Sequence, residues 1–76
     1  MPAPYYTPDF DTPMSLQSVP PFVLDTAART EPGLRIESVD YVSQNGNVFY
    51  SVRLDRGGLG DIFVRVATDG TLLGIQ

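Results

Sequence analysis

The sequence predicts an α+β domain: one short helix packed on a four-stranded antiparallel β-meander, preceded by an extended proline-rich N-terminal arm over residues 1–18. Three observations predict it. Prolines at 2, 4, 8 and 13 bar the start of the chain from a helix or a central strand. Hydrophobic periodicity then changes from helical to two at Leu34. Asn45-Gly46 and Asp69-Gly70 are strong short hairpin signals, because the central positions of a tight hairpin turn favour positive φ.

The arm carries Tyr5, Tyr6, Phe10, Met14 and Leu16, too apolar a set for a solvated tail. Two readings stand: a frayed terminus, or an extended segment laying its aromatics on the domain or on a neighbour. Residues 19–76 form the domain proper. Val19 and Pro20 each precede a proline and avoid the helical region, so the helix starts at Pro21, where a missing N–H costs nothing. Val23, Leu24, Ala27 and Ala28 make its inward stripe, Asp25, Thr26, Arg29 and Thr30 its outer face, and Pro32-Gly33 ends it.

Four strands follow. A two-residue turn at Asn45-Gly46 sets Tyr41 opposite Tyr50 and Val39 opposite Val52; a second at Asp69-Gly70 sets Leu73 opposite Val66 and Ile75 opposite Val64. All eight then share the face covered by the helix. Regular pairing would bury Glu37 and expose Ile36, so a β-bulge is expected near Glu37–Ser38, returning Ile36 and Leu34 to the core. The other face carries Val42, Phe49, Ala67 and Leu72 in one row, Asp40, Ser51, Arg65 and Gly74 in the next, and Ser38, Arg53, Phe63 and Gln76 in the third. Arg53 and Phe63 are placed for a cation–π contact.

Composition narrows the chemistry. The 76 residues include no cysteine, histidine or lysine, so no disulfide, thiolate nucleophile or imidazole base is available. Five arginines stand against nine carboxylates, and the net charge of −4 argues against nucleic acid or an anionic membrane as partner. No apolar run is long enough to insert in a membrane. The opening MPAPYYTP lacks the charged start and apolar core of a signal peptide. The glycines of LDRGGLGDIF precede a strand rather than a helix and lack a lysine, so they read as a wide hairpin instead of a phosphate loop. Asp55 and Asp61 flank that loop without a calcium-loop spacing, and no metal or cofactor is expected. No serine has a histidine or lysine to activate it, so no catalysis is expected.

VPPFVLDTAART, PGLRIESVDYV, QNGN, VFYSVRLD, DIFVRV and DGTLLGI, spanning residues 19–75, together resemble the PepSY-like domain of peptidase propeptides and small exported bacterial proteins. They are also similar to one repeat of the β-lactamase inhibitor protein. The resemblance implies a helix on a four-stranded sheet, an extracytoplasmic location, and a role in binding or inhibiting another protein, often a peptidase. The expected contacts are Val42, Phe49, Arg53, Phe63, Arg65 and Leu72 on the outer face, with Arg56 at its edge. The alternative is a structural homodimer that exchanges arms or sheet faces and has no separate ligand.

Overall fold

A computed structural model describes residues 8–76. One helix, α1 (Pro21–Thr30), lies across a single antiparallel sheet of β1 (Phe10–Met14), β2 (Arg35–Gln44), β3 (Asn47–Asp55), β4 (Asp61–Ala67) and β5 (Leu72–Ile75) in sequential order. The sheet therefore has five strands, not the expected four. The added strand comes from the arm: Phe10 to Met14 pair with Ser43 to Val39 of β2. Pro13 confines β1 to the sheet edge, since it has no N–H to offer a second neighbour. The expected contacts of Tyr5 and Tyr6 lie outside the described residues.

The core fills the space between α1 and the sheet. Val19, Val23 and Ala27 meet Val39, Val52, Leu54, Ile62, Val64 and Val66, with Met14, Leu24, Leu34, Ile36 and Tyr50 around them. Phe10, Tyr41 and Tyr50 continue this layer along the sheet, with ring centroids 5.8 and 5.1 Å apart. The stripe of α1 differs from the expectation. Ala28 is exposed, whereas Thr26 is buried and Thr30 half-buried, so Val23, Thr26, Ala27 and Thr30 line the inward face, with the expected Leu24 packed at its side. That i, i+3, i+4, i+7 spacing is the regular one for a packed helix. Thr26 tolerates burial because its Oγ1 lies 2.6 Å from the Gly70 carbonyl oxygen and 3.0 Å from that of Phe22, both acceptors for its proton.

Strand registers match the expected ones through β2, β3 and β4, and the bulge falls at Glu37, between the Ile36–Leu54 and Ser38–Arg53 pairs. At β5 two departures cancel. Ala67 N–H donates to Thr71 O at 2.8 Å and Gly70 N–H to Ala67 O at 2.9 Å, so the turn is wider than two residues. Leu72 therefore meets Val66, and a bulge at Leu73 restores the expected Arg65–Gly74 and Val64–Ile75 pairs. Leu73 is not opposite Val66, and both Leu73 and Ile75 stay about half exposed instead of buried.

Candidate interaction surface

The outer face of the sheet, opposite α1, is built by the alternate residues of β2, β3 and β4. Val42, Phe49 and Ala67 stand in one row. Leu72 does not extend that row. Paired with Val66, it lines a depression on the helix side with Thr26, Arg29, Thr30 and Gly70. The bulged Leu73 takes its place on the outer side, lining a hollow with Phe49, Arg65 and Ala67.

Phe49 is only 6% exposed although it stands on the face away from the helix. The Arg65 guanidinium lies 5.2 Å from its ring centroid, a diagonal cross-strand contact between β3 and β4. Phe49 is thus the floor of the surface and Arg65 its upper layer. Two hollows, of about 450 and 700 Å³, flank this pair. The first sets Asp9 and Asp11 of β1 and its approach against Arg65; the second is walled by Asn45, Leu73 and Gln76.

One row further on, the Arg53 guanidinium sits 5.9 Å from the Phe63 ring centroid, and Phe63 is 40% exposed. Arg53 also donates to one oxygen of Asp61 at 2.6 Å and lies 3.8 Å from the Glu37 carboxylate. The Asp61 hydrogen bond, followed by the charges of Asp61 and Glu37, raises the Arg53 pKa and holds the group as a cation. The bulge explains Glu37: the extra residue turns its side chain away from the core toward Arg53. Glu37, Asp55 and Asp61 bring carboxylate oxygens within 4.8 Å of one another, and both arginines beside them, Arg53 and Arg35, form ion pairs with members of the set.

A second carboxylate pair is one that pattern reading missed. Asp40 faces Pro13 of β1, and Asp11 lies two residues along that strand, on the same face. A hydrogen bond shared with the Asp11 carboxyl, then partial burial and the Asp11 charge, raise the Asp40 pKa, while the Arg53 charge opposes the rise. Only a docked β1 brings these groups together, so spacing along the chain gives no hint of the pair.

Arg56 stands apart, in the loop between β3 and β4. Its guanidinium donates to Leu59 O at 3.2 Å, and the Asp55 carboxylate accepts the Gly57 N–H at 2.7 Å. These bonds close the glycine-rich loop on itself and leave Leu59 78% exposed at its tip. Among the described residues, the face combines three features: a buried aromatic under a cation, an exposed aromatic beside a second cation, and an apolar flank at Leu73. No helix among them is long and apolar enough to cross a membrane. No family model, curated protein or solved structure matches this chain.

Proposed function

We propose that this chain is a non-catalytic protein-binding or inhibitory module whose outer sheet face engages another protein outside the cytoplasm. The target class in this reading is a peptidase or another exported protein, drawn from the PepSY-like resemblance of residues 19–75. The observation that carries the reading is the exposed Phe63 beside Arg53, next to Arg65 stacked above Phe49. Planar cations over rings are partly desolvated already, and arginine and aromatic side chains anchor protein interfaces. Apolar and aromatic side chains of a partner, with a carboxylate for Arg65, fit such a surface, whereas phosphate polymers meet a chain of net charge −4. With no histidine, cysteine or lysine anywhere in the chain, its residues suit recognition better than bond making.

Phe63→Ala combined with Arg65→Glu tests the reading. The variant is expected to lose at least about tenfold in capture of a secreted peptidase or other exported protein by the immobilised chain, with its melting temperature within about 5 °C of the parent. Unchanged capture, or failure of the parent to retain any such protein, overturns it. Phe49 is unsuitable for this test. Its ring is packed, and Phe49→Ala is expected to destabilise the fold by about 3 kcal/mol in thermal or urea unfolding.

A further inference from the structure

The outer face is divided by the sign of its charge. On β1 and just before it, Asp11 and Asp9 are exposed, and Asp40 of β2 stands beside Asp11. On β3 and β4 stand Arg53 and Arg65. The carboxylates near Arg53 and Arg35 are neutralised there: Glu37 and Asp61 pair with Arg53, and Asp55 with Arg35. Among the described residues, none of Asp9, Asp11 and Asp40 forms an ion pair. Asp40 shares a hydrogen bond with Asp11, and Asp9 accepts the Asn45 N–H at 2.9 Å.

The hollow of about 450 Å³ joins the two signs. Asp9 and Asp11 wall one side and Arg65 the other, with Val42 and Phe49 between them. A metal cation placed there would meet Arg65, and an inorganic anion would meet the aspartates. Complementarity on both walls requires an occupant that carries both signs, held apart. The register sets how far apart. Asp11, Val42 and Phe49 stand in one cross-strand row, and the Arg65 guanidinium lies 5.2 Å from the Phe49 ring centroid. The cation therefore sits over β3, two strand spacings or about 10 Å from β1. In an extended peptide, residues i and i+2 project from the same side about 7 Å apart, and their side chains reach the remainder.

We infer that this hollow takes an extended segment of the partner protein bearing a basic and an acidic side chain two residues apart. The basic head group lies against Asp9 and Asp11, its methylene stem crosses Val42, and the acidic group meets Arg65. The inference rests on the protein-binding reading of this face and names what the partner presents to it.

NMR titration of the isotopically labelled chain with acetyl-Thr-Arg-Val-Glu-Thr-amide, in about 20 mM salt, tests the inference. Half-saturation is expected near about 1 mM, with shifts concentrated at Asp11, Val42 and Arg65. Peptides with Arg at both charged positions, or Glu at both, should bind at least about threefold more weakly, because each sets a like charge against one wall. Asp11→Asn keeps the side chain's size and should weaken the Arg-Val-Glu peptide about threefold without weakening the one with Glu at both positions. The inference is overturned by equal binding of the three peptides, by shifts that fall elsewhere, by indifference to Asp11→Asn, or by no binding up to about 10 mM. The peptide assay needs no exported protein. A chain that discriminates the peptides but retains no such protein upholds this inference and overturns only the proposed target class.

Discussion

Gly70 answers two demands at once. Its φ of +93° belongs to the region that side chains avoid, and a Cβ there would stand 2.8 Å from the Phe22 ring. The relative weight of the two follows from exposure. Phe22 is about half exposed and free to turn aside, whereas the backbone of the turn is held by the bonds of Ala67 and by Thr26. Backbone strain therefore dominates, and Gly70→Ala is expected to lower unfolding stability by about 1–2 kcal/mol. Adding Phe22→Ala should recover little of that loss; full recovery would show that the ring clash governs. Asp40 supplies a pH signature at the same scale. Because its pKa is raised on folding, the folded state favours its protonated form. The stabilising effect is full below the unfolded carboxylate pKa and is lost as pH rises through the folded one. At neutral pH the pair with Asp11 is a repulsion. Asp40→Asn is thus expected to raise the melting temperature at pH 7, with the gain shrinking toward pH 3, about where free carboxylates take up protons. A gain that stays constant across this range would mean that Asp11 does not act on Asp40.

Among the elements, those governed by strong local chemistry were legible in the residue pattern. Pro21 and Pro32-Gly33 bracket α1, and the alternation of β3 and β4 sets their shared register. Even the bulge at Glu37 follows from the conflict between a carboxylate and a buried face. The two Xaa-Gly turns show where such reading stops. Asn45 adopts φ +53° and supports a tight turn with Gly46, whereas Asp69 keeps negative φ and leaves the positive value to Gly70 alone. Its carboxylate instead accepts the Thr71 N–H at 2.9 Å, and the Thr71 side chain, followed by this backbone bond, lowers its pKa. Both dipeptides look alike as hairpin signals, yet this difference moves Leu72 off the outer face and brings Leu73 onto it. The docking of β1 was illegible for another reason. Its pairing depends on β2 some thirty residues away, and Pro13 and two aspartates hide a strand whose Phe10, Thr12 and Met14 share the core side. A chain beginning at Ser15 tests how much this strand contributes. It loses the Phe10–Tyr41 contact and the Met14 packing, and is expected to unfold with about 2 kcal/mol less stability in urea. An unchanged midpoint would show that β1 adds nothing to the fold.

For the molecule as a whole, charge sets how the outer face meets a partner. Arg53 already pairs with Asp61 and Glu37, so Arg65, above the Phe49 ring, is the cation this face offers within a chain of net charge −4. Its attraction for a partner's carboxylate weakens as salt screens it. Raising ionic strength from about 20 mM to about 500 mM shortens the screening length from about 20 Å to about 4 Å. Capture of a partner through Arg65 is therefore expected to fall over that range. Capture that holds or rises with salt would mean that apolar contact at Phe63 and Leu73, rather than charge at Arg65, carries the surface.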